Sequence, residues 1–275
     1  MKGLVCAILA FCLLAGFCAC GQVVVEETSA ATTTTQSTTI ETTKATTTTE
    51  TTTFSTEIEQ AIALFKEEWS YEKLNEIIPY HRVETNCIHE GMRQFEFTLY
   101  GFHNREEREE IEDYIQDTIY AIDISEPDGN FHQRLDGFTT LMDVFILADF
   151  NNDGYLDIQL QVCMGGSMRN EPSLFWLWDN GKQQYVPNEQ LGEISQENSV
   201  RVGEDGRMFS YVNCGAWGYS VSSYSYINNR FVEVEREDVR PEDESDVQNS
   251  AKVRDTYKLI NGEMVLVSTE LEEEP

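Results

Sequence analysis

Nine consecutive residues, Asp149-Phe150-Asn151-Asn152-Asp153-Gly154-Tyr155-Leu156-Asp157, carry oxygen side chains at their first, third, fifth and ninth positions and glycine at the sixth. This is what a short loop needs to wrap a calcium ion. Alternate residues point inward, the glycine takes the sharp turn, and the main-chain carbonyl of the seventh residue, Tyr155, adds one more oxygen. The set Asp149, Asn151, Asp153, Tyr155 and Asp157 nearly meets the six to eight oxygens a hard cation takes. The histidines or thiolates that zinc prefers are absent from it. The competing reading is a metal-free hairpin turn, because Asn, Asp and Gly are ordinary turn residues.

The flanks tell what kind of loop this is. Val144 to Ala148 before it, and the alternation of Ile158, Leu160 and Val162 with Gln159 and Gln161 after it, read as strands. The unit is therefore strand–loop–strand, unlike the helix–loop–helix of an EF-hand. The twelfth position, where an EF-hand carries a bidentate Glu, is Leu160. Without that ligand the expected affinity lies near the extracellular range, on the order of 10⁻⁴–10⁻³ M.

No catalytic constellation accompanies the loop, and the chain is not expected to be an enzyme. His81, His89, His103 and His132 fit no metalloprotease pattern, and no Ser–His or Cys–His pairing is visible. Cys87-Ile88-His89 could be half of a metal site, although a chance neighbour pair is the plainer reading. Gly165-Gly166-Ser167 lacks the frame of a nucleophile elbow. Among the aromatics, Trp176 and Trp178 share one strand face and read as core. Trp217 and Tyr219, in and after a glycine-flanked loop, are candidate binding residues.

Around these residues the chain is expected to be organised in four stretches. Residues 1–20 read as a secretory signal: Lys2, an apolar run from Leu4 to Leu14, and small residues up to Cys20. The run is too short to span a membrane. Residues 21–53 read as a disordered tether, since 16 of the 26 residues from Thr28 to Thr53 are threonine and nothing buried would offset the ordering entropy. Residues 54–118 read as a helical or mixed segment, with helices from Thr56 and over Asn104 to Thr118 and a strand over Gln94 to Tyr100. Residues 119–275 read as mainly β, with strands over Ile119–Ser125, Met142–Ala148, Asp157–Cys163, Leu174–Trp178, Met208–Val212 and Tyr219–Ile227. Asp179-Asn180-Gly181, Asp205-Gly206, Asn228-Asn229 and Asn261-Gly262 supply hairpin turns. Residues 224–234 align with residues 257–267, so the fold class is mainly β with N-terminal helices, either propeller-like or a meandering antiparallel domain built of hairpins.

The net charge of −30, from 49 acidic and 19 basic residues, argues against nucleic acid and anionic membrane surfaces as partners and favours basic proteins. The dense runs around Arg105–Asp113 and Glu235–Asp246 read as solvated faces or loops. Cys87, Cys163 and Cys214 leave room for one disulfide and an odd thiol.

Two resemblances rest on these residues. Phe17-Cys18-Ala19-Cys20-Gly21 resembles a bacterial lipobox, which implies lipidation of Cys20 and anchoring to the cell membrane from the outer side, with lipid as the only membrane contact. Phe17 and Cys18 depart from the usual Leu and Ala or Ser. The 149–157 loop resembles the calcium loops of FG-GAP and VCBS propeller repeats. With Phe175 to Asp179, Gly181-Lys182, Gln184-Tyr185-Val186, Asn188 to Leu191, Gly215 to Tyr219 and the strand ending Ile227-Asn228-Asn229, residues 119–234 are similar to a family of small secreted or lipid-anchored bacterial proteins with a propeller-like domain. That family includes immunity proteins against peptidoglycan hydrolases. The resemblance implies a structural Ca²⁺ site and a protein-binding or inhibitory role toward a basic envelope protein such as a cell-wall hydrolase. The alternative is a module that binds wall polysaccharide or a solute.

Overall fold

The computed structural model describes residues 24–26, 46–70, 74, 76–92, 94–108, 111–164, 170–243, 245–247 and 250–272. The signal segment and Cys20 lie outside the described residues, as do most of the Thr-rich stretch and Gly165-Gly166-Ser167. Among the described residues the fold is mainly antiparallel β, in sheets of five, four and six strands. No described helix is long and apolar enough to cross a membrane.

The chain divides into two compact units. One holds residues 22–85 and 94–143, the other residues 86–93 and 144–275. The boundary expected after residue 118 instead falls inside a strand.

The first unit contains β1 (Val24–Glu26), α1 (Thr46–Trp69), β2 (Glu76–Cys87), β3 (Gln94–Arg108), β4 (Ile111–Ser125) and β5 (His132–Leu135), with the five strands paired in sequence order. Helix α1 begins at Thr46, inside the Thr-rich segment. The expected apolar stripe does its work: Ile58, Ala61 and Phe65 pack on Phe102, Tyr120 and Ala121. Phe65 is fully buried and meets Phe102 edge to face at 5.6 Å. Burying an aromatic of that size contributes about 1.5–3 kcal/mol.

The helix expected over Asn104 to Thr118 is not there. Residues 104–108 end β3 and 111–118 begin β4, paired from Asn104↔Gln116 to Arg108↔Ile111 with a register shift between Glu106 and Arg108. Ile111, Tyr114 and Ile115 suit a helical stripe, but helix propensity is a weak prior. Each of these positions also extends the ladder that Phe97↔Ile124 and Leu99↔Ile122 have already established.

The second unit begins with a four-stranded meander, β6 (Phe145–Ala148), β7 (Asp157–Gln161), β8 (Ser173–Asp179) and β9 (Gln184–Pro187). Helix α2 (Glu189–Glu197) follows. Asn188 caps it, its Oδ1 accepting the Leu191 N–H at 2.9 Å, a cap typically worth about 1 kcal/mol. Then come β10 (Ser199–Val202), β11 (Met208–Asn213), β12 (Tyr219–Ile227), β13 (Arg230–Pro241), β14 (Lys252–Ile260) and β15 (Glu263–Leu271), one six-stranded meander. Phe150, Phe175, Leu177, Leu191, Val200, Met208 and Phe231 form the core. Gln190 ties helix to sheet, donating to the Phe231 carbonyl at 2.6 Å and accepting its N–H at 2.9 Å.

The two aligned hairpins are β12–β13 and β14–β15. They are neighbours in one sheet, because β13 pairs with β14 from Glu235↔Lys258 to Pro241↔Lys252. The described strands therefore form meanders with free edges and no closed propeller. The acidic run from Glu235 lies on β13, where Arg236, Arg240, Arg254 and Lys258 pair with its carboxylates and their neighbours. Cys87, Cys163 and Cys214 are all free thiols.

One glycine is held by contact as well as conformation. Gly218, at φ 121°, closes the turn of residues 215–217, and a Cβ there would lie 1.8 Å from the Val239 carbonyl oxygen. Gly218→Ala is expected to destabilise the protein by about 3 kcal/mol or more, since both the turn and β13 backbone would have to move. The check is a lower urea midpoint at unchanged slope; a midpoint equal to wild type would show that β13 yields freely.

Candidate metal-binding loop and its flanking clefts

Strands β6 and β7 pair from Phe145↔Leu160 to Ala148↔Asp157, so residues 149–156 close a hairpin. The loop folds onto its own carboxylates. Asp149 accepts the N–H of Asp153 at Oδ1 (3.0 Å) and of Gly154 at Oδ2 (2.8 Å). Asn151 Oδ1 accepts the Asp153 N–H at 3.1 Å, and Asp153 Oδ1 accepts the Tyr155 N–H at 2.9 Å. Asn152 at φ 57° and Gly154 at φ 89° turn the backbone so that these amides face inward. The Asn152 N–H also acts on Asp149, and Asp153 Oδ2 accepts the Asn151 side-chain amide at 3.0 Å.

Two anchors hold the loop. Phe150 is buried in the core, edge to face with Phe175 at 5.2 Å. Asp157 is fully buried beneath the loop, with Oδ2 accepting the Phe150 N–H at 3.0 Å and Oδ1 the Trp178 N–H at 2.9 Å. Burial pushes the Asp157 carboxyl up to about 8, the two amides resist, and the charges of Asp153 and Asp149 add to the rise. Asp149 is also raised, by burial first, against the amides of Gly154 and Asp153. The nearby cations are engaged elsewhere, Lys182 with Asp179 and Arg207 with Asp205.

The donor set is compatible with a hard cation: carboxylate and amide oxygens, braced from behind by main-chain amides, with no basic side chain paired to Asp149 or Asp153 among the described residues. The side chains gathered at the loop surface are Asp149, Asn151 and Asp153. Asp157 sits behind them as a strut. Among the described residues no three His, Cys, Asp or Glu side chains form a metal-ligand cluster.

Sequence reasoning missed the clasp on this loop. His89 stacks on Tyr155 at 4.2 Å, and Leu156 donates to the Ile88 carbonyl at 2.7 Å. The Tyr185 hydroxyl donates to the Leu156 carbonyl at 3.0 Å. The Cys87 thiol donates to the main-chain oxygens of His89 and Met92. Nothing local announces that residues 86–93 belong with a loop more than fifty positions away.

No family model and no curated protein matches the chain. A solved structure described as a Xanthomonas type IV secretion system related protein aligns with 71% of this chain and 96% of its own, at 17% identity and a TM-score of 0.45. A likeness at that level carries no argument about fold or function.

Two clefts flank the loop. The larger, about 450 Å³, is lined by Asn151, Asp153, Asp179, Asn180, Tyr226 and Asn229 among others. The smaller, about 210 Å³, lies between Asn152, Gly206, Arg207, Tyr224 and Tyr226. The expected binding residues lie elsewhere, at the opposite end of β12 from Tyr226. Trp217 is 54% exposed, while Tyr219 is half-buried, its hydroxyl between Glu272 and Arg254. Trp176 and Trp178 are buried, as their strand face implied.

Proposed function

We propose that this chain is an extracytoplasmic binding module, lipid-anchored through Cys20, that uses a calcium-braced loop to present a surface for a basic cell-wall hydrolase and inhibits it. The observation that carries the calcium half of this reading is the turning of Asp149, Asn151 and Asp153 onto their own loop amides. Bound calcium would offset the loop's negative charge. Asp149, Asn151 and Asp153 would hold it with the Tyr155 carbonyl, while Asp157, which the FG-GAP-like pattern would add to the set, braces the loop from behind through the amides of Phe150 and Trp178. The chain's own residues then keep the loop in place: Phe150 in the core, His89 on Tyr155, Tyr185 on Leu156.

The binding half is supported by charge. A protein of net charge −30 attracts basic partners over distances longer than any contact, and such steering weakens with salt. The larger cleft favours a second reading, a wall-glycan site, because Asn151, Asn229 and Tyr226 offer amide and hydroxyl groups beside a ring.

The test is capture on the immobilised secreted chain from a cell-wall extract, with calcium or with chelator. The expected result is a basic hydrolase, retained with calcium, eluted by salt and inhibited in a lysis assay. Retention of glycan fragments alone would replace the inhibitor reading by the glycan one, and retention of neither would overturn both.

A further inference from the structure

Five of the six sheet edges among the described residues are short. Strands β1, β5, β6, β9 and β10 have three or four residues, β9 ends in Pro187, and α2 packs against β10. Short edges, prolines and covering helices are how proteins keep unpaired backbone groups from recruiting other strands. Strand β15 departs from all three. It runs for nine residues, Glu-Met-Val-Leu-Val-Ser-Thr-Glu-Leu, with no lysine and no proline, and among the described residues it pairs on one side only, with β14.

Its side chains are equally unusual. Val265, Leu266, Val267 and Leu271 are 40–66% exposed, and Ile260 across the hairpin is 44% exposed. The hairpin tip stands past the end of the β13 pairing, which stops at Glu235↔Lys258, so both of its faces meet solvent. One bulge interrupts the strand opposite Thr256/Tyr257 and leaves two regular runs, Glu263 to Leu266 and Ser268 to Leu271. Glu263 and Glu270 are exposed; Glu263 opens the first run and Glu270 is next to last in the second. Two of the cations nearby are paired with carboxylates, Lys258 with Glu235 and Arg254 with Glu237 and Glu272.

We infer that β15 is a docking edge to which an extended, lysine- or arginine-bearing segment of a protein partner adds as a further strand. Main-chain hydrogen bonds would supply the register, Val265 and Leu266 the apolar contact, and Glu263 and Glu270 the preference for cations. A second copy of this chain suits the edge poorly, because it would bring together two β15 strands that carry only acidic charges, on molecules of net charge −30. The inference deepens the protein-binding reading and rests on it for the partner's basic character, but not on calcium or on a hydrolase.

The probe is a synthetic alternating Lys-Val peptide of about ten residues at about 1 mM, with an alternating Glu-Val peptide as control. The readout is hydrogen exchange across the whole secreted chain. The expected result is about tenfold slower exchange confined to residues 263–271 and their β14 partners with the Lys-Val peptide alone. That protection should be lost in the double variant Val265→Lys, Val267→Lys, whose side chains are exposed and whose melting should match wild type. Absence of protection, protection elsewhere, or equal protection by the Glu-Val peptide would overturn the inference. So would self-association through β15, seen as concentration-dependent protection without peptide. If the capture experiment yields no basic protein while the peptide protects β15, the hydrolase reading fails and the docking edge stands. The reverse pattern removes only the edge.

Discussion

Asp149→Ala is expected to abolish calcium-dependent stabilisation of this protein. Asp149 is the residue on which the loop folds, taking the amides of Asp153 and Gly154 on its two oxygens. Its removal takes away a proposed ligand and leaves loop amides to water. For the wild-type chain, a dissociation constant on the order of 10⁻⁴–10⁻³ M and about 10 mM calcium give about 1.4–2.7 kcal/mol of stabilisation. The measurement is the thermal midpoint in calcium against chelator, paired with calorimetric titration. The variant should show no calcium-dependent rise and at least about tenfold weaker binding, whereas Asn229→Ala, in the cleft but outside the loop, should keep both. Equal stabilisation of wild type and Asp149→Ala would mean that the loop is an Asx-rich turn and that calcium acts elsewhere.

The second large effect concerns the strut beneath the loop. The Asp157 carboxyl is pushed up to about 8 in the folded protein, chiefly by burial. Its folded value lies above its unfolded one, so the folded state holds this proton more tightly. The cost of burying the charge is therefore absent at low pH and grows as pH rises from about 4 toward 8. Carboxyls held low by partners, such as Asp255 with Thr269 and Arg240 and Glu272 with Arg254, act in the opposite sense, and only in more acidic solution. Between pH 5 and 8 the calcium-free protein should lose stability with pH, by up to about 1.4 kcal/mol per unit from this one group. Calcium should flatten the slope by favouring the ionised form. Asp157→Asn should remove the slope in chelator, at a pH-independent cost of about 1–3 kcal/mol. Its amide can accept only one of the N–H groups of Phe150 and Trp178 and turns a donor toward the other. Urea midpoints at three pH values, with and without calcium, would test this. A flat chelator profile for the wild-type chain would show that Asp157 ionises without penalty.

These two residues mark where local sequence suffices and where it does not. The spacing of Asp149, Asn151, Asp153 and Gly154 is a property of nine consecutive residues, and the strands on either side announce themselves by alternation. A hairpin closed by its own side chains needs no distant information, so the loop was legible. The same holds for the face of α1 that carries Ile58, Ala61 and Phe65, for β12, and for the burial of Trp176 and Trp178.

What tertiary structure decided is the fate of residues whose local signals were ambiguous or silent. Residues 104–118 carry spacing that suits a helix, yet they continue, beyond a register shift at Tyr100/Gly101, the β3–β4 ladder that begins with Phe97, Leu99, Ile122 and Ile124. Pairing with a strand already in place outweighs a preference worth tenths of a kcal/mol per residue. The repeated hairpins promised separate blades, but β13 has two edges and β14 pairs with the second, so they joined one sheet. The Asp157 side chain reads in sequence as one more ligand. Only the return of β8 beside β7, bringing the Trp178 amide to its oxygen, makes it a buried strut. His89 reached the loop by the same kind of long-range closure. Sequence alone determined the oxygen-rich composition and hairpin closure of the loop, the acid excess and the β-rich character of this protein, because each is local or additive. The pairing of strands, the division into two units and the exposed edge of β15 depend on which segments meet, and only the folded chain decides that.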